Sequence, residues 1–589
     1  MKKLSINHKV KGLVKAVLPF YLLTLLPLLS GCMNFEPEAE MSDAQVWSTA
    51  SNFQLYANQF YGWTRDFSTT TTYQCGVADG PHSDTRSDLM CESSLNVYSA
   101  GTNSIPESDS NYGSLYTHIY YCNLLLDRAA SYRNQADIAV PVAEAKFFRA
   151  YSYFELVQLY GNAILITEPL DMNSEQLQAP RNDRSEIIDF CIKDLKEAAA
   201  GLPENPVEAG RLSKAAAWAF LSRVALYEGT WQKFHNGGAS TQSNTPRSEE
   251  LLNVAKDASK RVIEGGRHSL FYSSTLGTES YRYMFILEDT KCNPAGLTTN
   301  DNKEYILARR HRLEDGIGTN ITKAYLANAI YPTRKLANMY LCQDGLPIAK
   351  SAKFQGYSGA TTEFQNRDNR MLTTLAPNGI YVWDNTANNC RTSWDDNDNN
   401  RAKTVKVTAN SGYQTHKWAV ERQVPDKMEA MSFPVIRYAE VLLNFAESIY
   451  ELNGRISDSD LNKSLNLVRR RVNPNMPLLT NAFVEANGLS MRDEIRRERT
   501  VELAFEGFRI DDLKRWATAK TEMPQDLLGV LYRGTWFETN WTSQARPLNS
   551  EGCIIMYNGR TWADKNYLYP LPSDQLQLNP NLGQNPGWE

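Results

Sequence analysis

Glu498, Glu502 and Glu506 stand four residues apart between Ile495 and Trp516, with Arg496, Arg499, Arg509 and Arg515 around them. Carboxylates at that spacing share one helix face, where they repel one another and need cationic partners. Two chemistries could use them, acid–base catalysis or a carboxylate-bridged pair of metal ions. The metal site normally adds Glu-x-x-His, and this stretch has no histidine. The cluster therefore reads as a structural ion network. Elsewhere His8, His82, His118, His235, His268, His311 and His416 are scattered, with no two at metal-ligand spacing. Nucleophile-elbow, Walker and dinucleotide motifs are missing too. A glycosidase needs only two carboxylates at a defined separation, which a sequence with 67 acidic residues does not test. Asp395-Asp396-Asn397-Asp398-Asn399-Asn400 alternates carboxylates as a Ca²⁺ loop does, but lacks glycine at its sixth position and glutamate at its twelfth. It reads as a solvated loop, and a structural calcium ion is the one cofactor left open.

The elements that must hold these residues are mostly helical. Val501, Ala504, Phe505 and Phe508 recur at helical spacing, so the opening stretch is expected to be one amphipathic helix. Further helices are expected at 46–61, 112–130, 141–160, 184–200, from a cap at Ser213, at 251–264, 333–341, from Pro434 to Gly454, and at 461–472. In the second of these, Leu115, Ile119 and Tyr120 supply the apolar periodicity. Small residues alternate with aromatics at the presumed contacts, as in tetratricopeptide-type packing, though without a strict period. The expected architecture is mainly α, a tetratricopeptide-like helical repeat array with a large irregular lobe of loops and short strands. One such strand covers 304–307. Residues 62–111 and 265–431 are the long irregular stretches, and loops of that length are functional or disordered.

With 42% apolar residues, 12 Trp, 30 Tyr and 21 Phe, the 589-residue chain is folded rather than disordered. Its first 31 residues hold five lysines and no acid, so without them the net charge moves from −5 to −10. No basic stripe offsets this, which excludes nucleic acid as a partner. The apolar run from Ala16 to Leu29 would span only ~21 Å as a helix, against ~30 Å of membrane hydrocarbon, and reads as a signal peptide. It ends in Leu29-Ser30-Gly31-Cys32, which resembles a bacterial lipobox that would acylate Cys32. Glu36, Glu38 and Glu40 then resemble the surface-export signal of Bacteroidetes lipoproteins. Of the other eight cysteines, Cys75 and Cys91 are the one pair close enough in sequence to suspect of a disulfide; the rest read as buried thiols.

Six blocks carry a family resemblance. Glu498 to Trp516 resembles E-R-x-x-E-L-x-x-E-G-x-R-x-x-D-L-x-R-W, the C-terminal signature of the SusD/RagB family of nutrient-capturing surface lipoproteins. Ala143–Gly161, Asn366–Arg370 (with Asn369 for the usual proline), Arg437–Glu447, Tyr569–Pro572 and Gln584–Trp588 resemble its other motifs, in order. The resemblance implies segments at 1–31 (signal peptide), 32–300 (helical repeats with a ligand loop) and 301–589 (C-terminal region). It implies lipid anchoring at the cell surface of the outer membrane, no catalysis, and capture of an oligosaccharide for a SusC-like TonB-dependent transporter. The family's ligand surface is an aromatic arc, and by region its candidates here are Asp79 and Tyr98, Tyr283 and His311, and Trp383 and Trp394. The two tryptophans rank first, because Trp is costly in a polar loop unless it meets something. A scaffold for a surface complex, or a binder of peptides or glycopeptides, are the alternatives. A pure scaffold has no use for long aromatic-bearing loops.

Overall fold

The computed structural model describes residues 46–589, apart from 68–71, 74–75, 78–79, 207, 236–244, 315, 317, 320, 323–329, 380, 386–387, 398–403, 407–410, 421–424 and 426. The chain parts into Met1–Thr49 and Ala50–Glu589, and every element below belongs to the second unit.

The principal helices are α1 (Ala50–Asn58), α2 (Ser110–Ala130), α3 (Ala139–Tyr160), α4 (Arg184–Gly201), α5 (Lys214–His235), α6 (Pro246–Gly265), α7 (Tyr438–Asn453), α8 (Met491–Leu503) and α9 (Arg509–Arg515). From α2 to α7 each packs on the one before it, and α8 packs on α7, which is the expected repeat array. Local chemistry sets the ends. Asp109 caps α2, Asp183 caps α4, Ser213 accepts the Ala216 N–H, and Thr245 followed by Pro246 starts α6. Gly454, at φ 67°, closes α7 in the left-handed conformation.

Aromatics and ion pairs lock the layers. Phe147, Tyr151 and Phe154 of α3 meet Phe220 and Tyr227 of α5, with ring centroids 5.1–5.7 Å apart for the Tyr151–Phe220, Phe154–Phe220 and Phe154–Tyr227 pairs. A ladder of buried bridges steps from helix to helix: Arg149 to Asp194, Arg184 to Glu228, and Arg223 to Glu440.

The irregular lobe contributes short strands: β1 (Met90–Glu92), β2 (Tyr305–Arg309), β3 (Ile330–Pro332), β4 (Leu375–Ala376), β5 (Tyr381–Asn385), β6 (Asn388–Ser393), β7 (Thr404–Lys406), β8 (Gln414–Thr415), β9 (Phe433–Arg437), β10 (Leu527–Leu531) and β11 (Cys553–Tyr557). They pair as β1–β3, β2–β9, β4–β8, β5–β6–β7 and β10–β11, all antiparallel except β6–β7.

Three expectations are corrected. The stretch 495–516 is two helices, because Phe505 (φ 68°) and Gly507 (φ 78°) break it. The buried Asp84 carboxylate accepts the Phe505 N–H at 2.7 Å and the Arg509 N–H at 3.2 Å, supplying across the fold the partners a continuous helix would have given. Pro434–Arg437 do not open a helix but form β9, in register Phe433↔Arg309 and Arg437↔Tyr305, and α7 starts at Tyr438. Proline cannot donate to a ladder, and a register shift follows Pro434. The first helix proper is Ala50–Asn58, continued by a 3₁₀ turn at Gln59–Trp63.

Candidate functional site

Each of the three glutamates that opened the sequence reading is held in ion pairs. Glu502 meets Arg437 at 2.6 Å, Arg370 at 2.9 Å and also Arg471. Glu506 meets Arg437 and Lys417, both at 2.7 Å; Glu498 meets Arg370 at 2.6 Å and Arg469 at 3.1 Å. Burial alone would raise the Glu502 carboxyl, but Arg471, Arg437 and Arg370 hold it well below the usual carboxylate range. Among the described residues no cluster of His, Cys, Asp and Glu is arranged to hold a metal ion. Asp396 accepts from the Ser543 N–H at 2.6 Å and the Ser543 hydroxyl at 2.7 Å. Asp395 accepts the Asn397 N–H, and Asp398 to Asn400 lie outside the described residues. Cys91 is a buried free thiol pushed up to about 12 by burial, while Cys75 is outside the described residues.

An aromatic surface lies where the first irregular stretch leaves the 3₁₀ turn. Trp63 stacks on His118 of α2, centroids 4.1 Å apart and planes 11° from parallel. Tyr121, one turn further along α2, lies 6.4 Å from Trp63 at 22°. Tyr120 and Tyr56 set edges against Tyr121 at 5.7 Å and 6.4 Å. Tyr120 is 40% and Tyr121 36% exposed. Burial lowers His118 to about 4, so at neutral pH it is an uncharged ring in the stack.

Three anchors fix this turn. The Tyr61 hydroxyl donates to Glu144 at 2.6 Å. Arg65 donates to Glu155 at 3.0 Å and to the Gly507 carbonyl at 3.1 Å. Asp66 meets His311 at 2.9 Å, and Arg309, at the end of β2, donates to the Tyr61 carbonyl at 2.6 Å. Beneath them His82 lies 2.6 Å from Glu155 and 2.8 Å from Asp511, so both ring nitrogens face carboxylates. Burial and Arg65 oppose its protonation, Asp511 and Glu155 favour it, and its pKa is raised. The aromatic surface is thus held in place by the fold itself.

Of the region-based candidates whose side chains are described, His311 joins this surface, as a buried anchor under the turn. Tyr98 lies instead beneath the Arg86 guanidinium, 3.6 Å from its ring centroid, and 5.0 Å from Tyr569. Tyr283 is 8% exposed in the helical turn Ser280–Met284. Trp394, ranked high as a loop tryptophan, is 4% exposed and packs edge-on to Phe537 at 6.2 Å. Trp383 lies in β5, paired with Cys390, and Asp79 is outside the described residues. Sequence reading missed Trp63, His118 and Tyr121, and assigned Tyr120 to the periodicity whose other members are buried. The signal was present: Tyr116, Tyr120 and Tyr121 make an aromatic stripe wider than the face completed by Leu115, Ile119 and Asn123.

A model of the SusD family matches residues 290–588, and one described as starch-binding associating with outer membrane matches residues 38–226. SusD-like protein P25 of Formosa agariphila is 34% identical over 491 residues, covering 80% of this chain and 76% of that protein. The chain belongs to the SusD family. SusD-like protein P2 of the same organism is 22% identical over 96% of this chain and 98% of its own length. A SusD-like carbohydrate binding protein of Bacteroides fragilis shares the fold at TM-score 0.71 and 23% identity, over 91% of this chain and 99% of its own. The surface glycan-binding protein A of Bacteroides fluxus superposes at TM-score 0.57 and 18% identity, over 92% and 99%.

Proposed function

We propose that this protein is a cell-surface lipoprotein of the outer membrane that binds an oligosaccharide without catalysis and delivers it to a SusC-like TonB-dependent transporter. The observation carrying the binding step is the anchored aromatic surface of Trp63, His118, Tyr120 and Tyr121. Sugars present apolar C–H faces and a rim of hydroxyls; exposed flat rings take the faces, and polar side chains take the rim. Relatives named for carbohydrate and glycan binding support the ligand class, and the lipobox at Cys32 supports the anchor. The pairing of the three signature glutamates, which are spent on the frame, supports the reading of binding without catalysis. Trp383 stays in the reading as a second platform from the irregular lobe.

A glycan array probed with the soluble fragment 33–589, followed by calorimetry on the best ligand, tests this. Tyr120→Ala and Tyr121→Ala should each weaken binding by about 1–3 kcal/mol, the scale of stacking on one ring, with unchanged melting temperature. Normal binding by both would place the site elsewhere.

A further inference from the structure

A concave surface that shares no residue with the anchored turn lies where the end of α5, the end of α9 and the segment 564–568 meet. It encloses about 480 Å³, a volume in the range of small-ligand sites. His235, the last residue of α5, forms one wall. It stacks on Trp231 at 3.8 Å and meets the edge of Tyr567 at 4.8 Å. Its Nε2–H donates to the Lys514 carbonyl at 2.8 Å, which fixes the tautomer and leaves Nδ1 as an acceptor with no partner among the described residues. Burial lowers its pKa, so the ring is neutral at pH 7. Lys520 and Asp564 flank it as an exposed pair, 3.1 Å apart.

Beside His235, on the same Lys514 carbonyl, the lining carries a backbone feature that local packing does not require. Ala517 follows α9 in the left-handed region at φ 55°. Its N–H bonds to the Lys514 carbonyl and the Thr518 N–H to the Leu513 carbonyl, both at 3.0 Å, the pattern of a helix end that favours glycine at this position. A β-carbon here carries a cost that glycine would not. What the alanine adds is a methyl group on the cleft wall. Strain kept at a concave surface points to use.

We infer that this cleft is a second saccharide site, taking an uncharged sugar unit against the wall formed by His235, Ala517 and Tyr567, beside the Lys520–Asp564 pair. Sugar hydroxyls donate to His235 Nδ1 and to Asp564, the Lys520 ammonium donates to a ring or hydroxyl oxygen, and the Ala517 methyl with Tyr567 covers a C–H face. The inference rests on the glycan-binding reading but not on its aromatic surface, since no residue is shared. Two sites on one molecule would let it hold a polysaccharide at two points and raise its effective affinity.

The test is titration of the full-length protein, in a detergent without a sugar headgroup, with maltose, cellobiose, xylobiose and digalacturonate, read by saturation-transfer NMR and calorimetry. A neutral disaccharide should bind, and Lys520→Ala and His235→Gln should each weaken it at least fivefold. Ala517→Gly should weaken it about twofold while raising the melting temperature, a combination that a purely structural alanine would not produce. The Tyr120→Ala/Tyr121→Ala double variant should keep this binding. Disaccharide binding that is lost in the tyrosine variant and untouched by Lys520→Ala and Ala517→Gly overturns the second site and leaves the glycan-binding reading standing. Digalacturonate binding more tightly than every neutral disaccharide overturns the ligand class. No disaccharide bound by the wild type overturns the inference, and the glycan array then judges the broader reading by itself.

Discussion

Trp394 shows what a ring in a polar-looking segment can be for. Its neighbours in sequence are acids and amides, yet the indole is sealed against Phe537, while its backbone N–H donates to Asn378 at 3.2 Å. Trp394→Ala should therefore lower stability by about 3–5 kcal/mol, the usual cost of emptying a buried aromatic site, and leave glycan affinity intact. A thermal melt beside a titration separates the two; lost affinity at an unchanged melting temperature would restore it as a platform. Glu502 is a second residue-scale case. Glu502→Gln removes the charge that three arginines share, and breaking a buried pair costs about 3–5 kcal/mol. Chemical denaturation should show that loss, and oligosaccharide incubated with wild type and variant should stay uncleaved by either. Cleavage by wild type that vanishes in the variant would make Glu502 a catalytic group after all.

At the scale of elements, the interruption between α8 and α9 is the instructive one. Local pattern favoured a continuous helix, because Val501, Ala504, Phe505 and Phe508 keep the helical period. What overrides it is Asp84, 421 positions from Phe505, taking two N–H groups that the helix would otherwise have had to satisfy. Periodicity carries no trace of so distant an acceptor. The Ser213 cap and the Gly454 stop, by contrast, act within a turn of the chain and were readable. The strand Phe433–Arg437 was hidden for the first reason, since its ladder partner β2 lies over a hundred residues earlier. The aromatic surface was half legible: Trp63 lies in the stretch after the first helix that was expected to matter, but its partners His118, Tyr120 and Tyr121 sit on α2, where Tyr120 passed for packing. Asp84→Ala should strand both N–H groups and cost about 1–3 kcal/mol. Hydrogen exchange should report faster exchange confined to 503–512; an unchanged pattern would mean that the break has another cause.

For the whole molecule, buried carboxylates set the acid limit. Burial alone would raise Glu155, Asp511 and Glu447. Arg65 and His82 bring Glu155 to about 2, His82 and Arg65 do the same for Asp511, and Arg515 does so for Glu447. Each folded value lies below the unfolded one, so each contributes stability that is fully present above about pH 5 and is lost as pH falls toward 2. Stability measured from pH 5 down to 2 should fall steeply, and a flat profile would show that these pairs contribute little. Anchoring is tested at the same scale: Cys32→Ala should abolish acyl labelling and detergent-phase partitioning, and retention of both would remove the lipid anchor from the reading.

The stitching of the two ends of the chain also has a consequence in time. Arg65 reaches the Gly507 carbonyl across 442 positions, and His82 reaches Asp511 across 429. A chain made from its N-terminus therefore carries unpaired buried-to-be charges until its last sixth arrives, and such distant pairings are late to form. Until then the early helices can pack on one another, but the segment around Arg65 and His82 lacks its partners. The nascent protein should stay protease-sensitive around Arg65 and His82, then become resistant in one step once the residues around 510 are available, with chains truncated at 490 never reaching that step. On the proposed cell-surface reading, delayed closure of this kind would keep a large chain extended during its passage across a membrane.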